Sequence, residues 1–131
     1  MDHNELSSRI ISAAIEVHRE LGPGLLESIY EQCLVQELQD DGLHVERQVL
    51  VPVHYKGRPL GTSMRLDLMV ERRIIVEVKA TEALHDAHMA QLLTYLKLTD
   101  RRLGLLFNFN EALLKQGIRR VVNGNLEERI D

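Results

Sequence analysis

Met64-Arg65-Leu66-Asp67-Leu68-Met69-Val70-Glu71-Arg72-Arg73-Ile74-Ile75-Val76-Glu77-Val78-Lys79-Ala80 is the stretch on which the fold turns. The even positions Met64, Leu66, Leu68 and Val70 are apolar, and after the charged triplet the even positions Ile74, Val76, Val78 and Ala80 continue the set. A period of two predicts two strands that share one core face. With Glu71-Arg72-Arg73 as a three-residue hairpin loop, Val70 pairs with Ile74, Asp67 lies opposite Glu77 and Arg65 lies opposite Lys79. Asp67, Glu77 and Lys79, all odd, then occupy the face away from the core.

Two carboxylates opposed across a strand pair repel by roughly 3 kcal/mol at about 5 Å and an effective dielectric near 20, so something must compensate them. A divalent cation does so, and oxygen ligands with positions left for water and phosphate suit Mg²⁺ or Mn²⁺. No Cys or His cluster of zinc type accompanies them. The competing reading is a solvated strand face on which Arg65 and Lys79 satisfy the acids, because acid, gap, acid, any residue, lysine is a loose pattern by itself.

Outward from this hairpin, Leu6, Ile10, Ala13, Val17 and Leu21 recur at spacings of three and four and predict an amphipathic helix ending at Gly22-Pro23-Gly24. A second helix runs from near Leu25 through Leu26, Ile29, Tyr30, Cys33, Leu34 and Leu38 to Asp40-Asp41-Gly42. Strands follow over Val45 to Tyr55 and Leu60 to Val70, joined by a turn at Lys56-Gly57-Arg58-Pro59. After Lys79 a helix is expected over about Glu82 to Leu98. Next comes a strand buried on both faces at Leu103-Gly104-Leu105-Leu106-Phe107, then an edge strand at Ile118 to Val122 and a polar tail over 124–131. The order α-α-β-β-β-α-β-β defines an α/β fold, a mixed β-sheet flanked by helices.

The 131 residues accommodate one domain, 1–131. With 16 basic and 20 acidic residues the net charge is −4, so a polyanion partner must be met by a local basic patch. The one cysteine, Cys33, forms no intrachain disulfide and reads as core, and the first 25 residues hold no secretory pattern; a cytoplasmic location is expected. No apolar run is long enough for a membrane helix, so no membrane partner is expected.

Two further polar groups fall on packing faces. Glu27 is in line with Leu34 and Leu38 on the second helix, where an acid needs a partner. Gln91 and Tyr95 are spaced i, i+4 on the third, in line with Ala87 and Leu98; an amphipathic boundary with the tyrosine bonded to backbone is the plainer reading of that pair. His85 and His88 lack a third ligand and read as a solvated helix start. Lys115, Arg119 and Arg120, with Lys56 and Arg58, are the basic clusters suited to phosphate, although charged loops are commonly just solvated.

Together these residues resemble the GxxExxY family of the PD-(D/E)XK nuclease superfamily. Gly24-Leu25-Leu26-Glu27-Ser28-Ile29-Tyr30 is similar to its naming motif, Arg65-Leu66-Asp67 with Glu77-Val78-Lys79 to the split nuclease signature, and Gln91 with Tyr95 to the Q-x-x-x-Y element of exonuclease-type relatives. Asn108-Phe109 and Gly117-Ile118-Arg119-Arg120 also resemble the family, and the likeness spans roughly residues 5–123. Leu66 stands where the superfamily's name has proline.

The resemblance implies a restriction-endonuclease-like fold and a Mg²⁺- or Mn²⁺-dependent nuclease hydrolysing phosphodiester bonds, with DNA preferred over RNA. It implies that Asp67 and Glu77 hold the metal, Glu27 supports it and Lys79 positions or activates water. Beside two carboxylates, Lys79 is expected to stay protonated, which favours positioning over general-base work. Gln91 and Tyr95 are expected on the substrate side. The alternatives are a nuclease-like domain that no longer turns over and binds nucleic acid or protein, and a structural subunit whose edge strand Ile118 to Val122 pairs with another chain, for instance as a homodimer.

Overall fold

In the computed structural model, which describes residues 1–127, helix α1 (His3–Leu21) starts where the Asp2 side chain accepts a hydrogen bond from the Glu5 N–H at 2.7 Å. It stops at Gly22, whose φ of +67° suits glycine and whose N–H closes on the His18 carbonyl at 2.8 Å. Helix α2 (Glu27–Asp40) follows, and the Tyr30 hydroxyl ties the connection down. It donates to the Gly22 carbonyl at 2.5 Å and accepts from the Leu25 N–H at 3.1 Å, while the ring stacks on Phe109 at 4.6 Å. Tyr30 is thus a structural clamp.

The remaining elements are β1 (Val45–Tyr55), β2 (Arg58–Val70), β3 (Ile74–Lys79), α3 (Asp86–Thr99), β4 (Leu103–Asn108), a 3₁₀ turn (Leu114–Gly117) and β5 (Ile118–Val122). Strand order is β1-β2-β3-β4-β5. Every neighbouring pair is antiparallel except β3 and β4, which α3 connects in parallel. The sheet is mixed and flanked by helices, as the sequence predicts. Val70 does pair with Ile74 across the 71–73 loop, β4 is buried along its whole length, and β5 is an edge strand.

Two apolar layers sandwich the sheet. On one face α1 and α2 bury Leu6, Ile10, Val17, Leu34 and Leu38 against Leu68, Val70, Ile74, Val76 and Val78. On the other, α3 buries Leu92, Tyr95 and Leu96 against Leu66, Met69, Ile75 and Leu106. Gly104 sets the distance of α3 from β4, since a Cβ there would meet the Leu92 side chain at 2.7 Å.

Here the expected single core face is corrected. Leu68 and Val70 face α1 and α2, whereas Leu66 and Met64, of the same parity, face α3. The reversal falls at Asp67, beside Gln48 of β1, which has a φ of +50° and drops out of the ladder between Arg47↔Leu68 and Val49↔Leu66, whose register is the same on either side. A left-handed residue turns its strand over, and the paired strand turns with it.

Other boundaries shift for local reasons. The β1–β2 turn is only Lys56-Gly57, both with positive φ as a two-residue hairpin turn requires. Helix α3 begins at Asp86 and not near Glu82, because the Asn108 side chain takes up the backbone groups of Thr81. In the polar tail, Leu126 packs onto the α1–α2 core, and residues 128–131 of that tail lie outside the described residues. Among the described residues no helix is long and apolar enough to cross a membrane.

Candidate active site

The β2–β3 ladder ends at Leu68↔Val76, one pair short of Asp67 and Glu77. Their side chains carry on in its place. The Glu77 carboxylate accepts from the Asp67 N–H at 3.0 Å, and the Asp67 carboxylate accepts from the Val78 N–H at 2.8 Å. Because β2 turns over at Asp67, this carboxylate lies along the sheet toward β3. Arg65 does not face Lys79 as expected. Beyond the ladder Arg65 pairs with Leu50 of β1 and Lys79 with Asn108 of β4.

Glu77 is 5% exposed. Burial, and next the charge of Asp67, push its carboxyl up to about 9, only partly offset by the Asp67 N–H and by Lys79. The pair thus holds a proton that a carboxylate in water has lost at neutral pH. Tyr95 senses the same charges: burial first, then Glu77 and Asp67, raise its phenol.

Asp67 lines a cavity of about 170 Å³ with Glu27, Ser28, Glu31, Gln48 and Val78. Glu27, the first residue of α2, is exposed and not turned into the apolar stripe, which corrects its expected direction; Leu34 and Leu38 are fully buried while the stripe runs out before Glu27. Its Oε1 still accepts from the Ala80 N–H at 3.3 Å, just past Lys79. Glu77 sits behind Asp67 and does not line the cavity. The three acids therefore adjoin without forming one ligand set, and among the described residues no group of three His, Cys, Asp or Glu is arranged to hold a metal.

Two residues that sequence reasoning passed over complete the wall. Glu31 is 6% exposed and accepts from Arg47 at 2.8 Å and from Gln48 Nε2 at 2.8 Å. Consecutive strand residues ordinarily point to opposite faces; the positive φ of Gln48 brings both onto Glu31. The spacing of Glu31 four residues after Glu27 is the one sequence signal for it. Nothing in the sequence marks Gln48.

Asn108, fully buried, fixes the exit from β3. Its Oδ1 accepts from the N–H groups of Thr81 and Asn110 at 3.0 and 3.3 Å, and its Nδ2 donates to the Thr81 carbonyl at 3.0 Å. Lys79 is half-buried at this exit. His88, whose Nδ1 accepts from the His85 N–H at 3.0 Å, has its imidazole shifted down by burial, then by Lys79 and His85, with Glu27 opposing. The α3 start therefore borders the site. Gln91 is exposed on α3, whereas the Tyr95 ring is 5% exposed and packed among Leu66, Met69 and Leu92. For the tyrosine ring this is the core placement that the substrate-side expectation set aside.

Larger grooves lie elsewhere. One of about 510 Å³ runs between α1 and α2 along Arg9, Glu16, Glu37 and Asp40, and one of about 500 Å³ lies under Ile15, Pro23 and Leu113. Neither contains the carboxylate pair.

A family model described as the PD-(D/E)XK nuclease superfamily matches residues 4–121. Comparison with curated proteins and with solved structures finds no match.

Proposed function

The chain belongs to the PD-(D/E)XK nuclease superfamily, and from that premise we propose that it is a divalent-metal-dependent nuclease of the GxxExxY type, hydrolysing phosphodiester bonds in nucleic acid. The observation that carries the reading is the Asp67–Glu77 pair, two acids held side by side so closely that they keep a proton between them, with Lys79 one alternate position further along β3. The donor set fits Mg²⁺ or Mn²⁺. Each carboxylate accepts one backbone N–H and the two side chains also bond to each other; giving up the proton they hold would free an oxygen on each for an ion that takes few protein ligands and retains water. Asp67 and Glu77 would hold the ion, with Glu27 reaching it through water. A divalent cation supplies neutralisation of the charge that develops on the phosphate.

The chain's own residues do the rest. Lys79 donates to the attacking water or to a phosphate oxygen, holding nucleophile and phosphorus in line. Water adds to phosphorus, one P–O ester bond breaks, and a proton passes to the departing oxygen. Gln91, exposed on α3, donates to a phosphate oxygen or an ordered water, and Tyr95 contributes its hydroxyl from a ring seated in the core. The burial of Glu77 behind Asp67, away from the cavity that Asp67 lines, favours one second reading, a nuclease-like domain that binds without turning over.

The test is cleavage of labelled DNA and RNA in Mg²⁺ or Mn²⁺ beside an identically purified Lys79→Ala protein. Cutting by the wild type that Lys79→Ala abolishes is expected; equal cutting by both overturns the assignment.

A further inference from the structure

From Arg47 to Leu66 the chain contains Arg47, Lys56, Arg58 and Arg65 and no Asp or Glu. The remainder holds twelve basic and twenty acidic residues, a charge of −8. This acid-free stretch is the outer part of the β1–β2 hairpin. Residues 54–63 are all exposed. Among the described residues no carboxylate pairs with Lys56, Arg58 or Arg65. Resting on the nuclease reading, we propose that this hairpin is a nucleic-acid-binding ribbon that grips the phosphate backbone away from the bond being cut.

Its placement ties it to the site. Past the reversal at Gln48 and Asp67, Val49, Val51, Met64 and Leu66 face α3, so the cross-strand partners Leu50 and Arg65 face the other way, toward the side carrying the Asp67 cavity. From Arg58 to Asp67 the strand reaches about 30 Å at roughly 3.3 Å per residue, close to one turn of duplex. A two-stranded ribbon fits a major groove. At the tip, the Lys56 ammonium lies 5.5 Å from the centre of the Tyr55 ring, which is 62% exposed and offers a face on which an unpaired base stacks.

A partner strand is a poorer occupant. Pro52 and Pro59 each remove an N–H from the ribbon, and the ladder slips between Pro52 and His54, so neither edge offers an unbroken row of donors. The acid-free charge calls for a polyanion, and phosphate contacts need no regular edge.

The test is anisotropy of a labelled 30-base-pair duplex and of a single strand of equal length, in Ca²⁺ over a range of salt, with strand integrity checked on a denaturing gel. Wild type is compared with Lys56→Gln/Arg58→Gln/Arg65→Gln and with the charge-keeping Lys56→Arg/Arg58→Lys/Arg65→Lys. The first variant is expected to bind about tenfold or more weaker, with a log–log salt slope shallower by about 2 to 3 on duplex and about 2 on single strand, while the second keeps the wild-type slope. All three side chains are exposed, so equal melting temperatures show that folding is unaffected. Loss on either probe sustains the ribbon, and the probe with the larger loss identifies the strand form it grips. Unchanged binding in the first variant overturns the ribbon even if the wild type cuts, and so does failure of the wild type to bind either probe. Ribbon-dependent binding with no cutting in Mg²⁺ or Mn²⁺ overturns the nuclease reading and leaves the ribbon standing.

Discussion

Asp67 and Glu77 finish the β2–β3 ladder with their side chains: Glu77 accepts the Asp67 N–H at 3.0 Å, and Asp67 accepts the N–H of Val78 at 2.8 Å. Two acids are thereby fixed next to each other by the bonds that keep the strands together. Local backbone hydrogen bonding holds what Coulomb repulsion opposes.

Asp67→Asn keeps an oxygen for the Val78 N–H and removes the charge that, after burial, most raises the Glu77 carboxyl. The metal-free protein is expected to melt higher. In the wild type, a divalent ion bound only by the folded state adds about 1.4 kcal/mol at tenfold over its Kd, and the variant is expected to lose most of that gain. Thermal melts of both proteins with EDTA and with millimolar Mg²⁺ check this, and a wild-type melting temperature indifferent to metal counts against the site.

The high proton affinity of Glu77 sets a pH dependence for the metal-free fold. Below about pH 4.5 the carboxyl is protonated whether the chain is folded or not. Between 4.5 and about 9 the unfolded chain has lost the proton and the folded one keeps it, so the unfolded state binds fewer protons and stability falls as pH rises. The slope is at most about 1.4 kcal/mol per pH unit for one group. Glu77→Gln is expected to flatten the decline in denaturant midpoints between pH 5 and 9, and a variant as steep as the wild type argues against Glu77 as its origin.

His3 acts in the opposite sense. It is 8% exposed, its Nε2 has no partner among the described residues, and burial, then Arg73, lower its imidazole below the usual 6.5. As pH drops through 6.5 the unfolded chain takes up a proton that the folded one refuses, so stability declines until the folded-state value is passed. His3→Phe removes the orphaned Nε2 and the titration but also the ring's bond to the Leu126 backbone; a lost acid-side decline is expected in midpoints measured from pH 7 to 5.

Asn108 supports the site at one remove. Asn108→Ala strips three partly buried hydrogen bonds from Thr81 and Asn110 and is expected to cost about 2 to 3 kcal/mol. Asn108→Asp keeps the acceptor but sets a buried carboxylate oxygen against the Thr81 carbonyl, so it is expected to cost at least as much as Asn108→Ala. Amide exchange over residues 79–85 separates a local from a global effect: unchanged protection there in Asn108→Ala means that Asn108 does not anchor the exit from β3.

How far the sequence discloses this arrangement depends on the residue. The short 71–73 loop gives the hairpin register, Val70 opposite Ile74, while alternation shows only one of two core faces, because from Leu68 to Val78 both strands are covered on both sides. The same alternation misleads at Leu66, since the reversal comes from the left-handed backbone of Gln48, a non-glycine position with no compositional mark. Glu27 misleads differently. Periodicity gives its azimuth on α2 and says nothing of where the core ends along the axis, and Glu27 lies beyond that end. Glu31, Gln48 and the Asn108 clamp depend on contacts across 16, 17 and 27 residues, which no local pattern encodes.

Gln91 and Tyr95 separate chemistry from packing most cleanly, because their i, i+4 spacing puts them on one face of α3 and burial then divides them. Gln91 is exposed, so Gln91→Ala should alter stability by no more than about 0.5 kcal/mol, and lower turnover at unchanged melting temperature is expected if it meets substrate. The Tyr95 ring fills the α3 core, so Tyr95→Ala should cost about 3 to 5 kcal/mol whatever the hydroxyl does. Tyr95→Phe keeps the ring and removes only the oxygen that lies in the field of Glu77 and Asp67. Reduced kcat with KM and melting temperature near wild type would assign that hydroxyl to the reaction. Full activity in Tyr95→Phe, with the loss confined to the stability of Tyr95→Ala, would return the tyrosine to the core and leave Gln91 as the residue of α3 that works on the substrate.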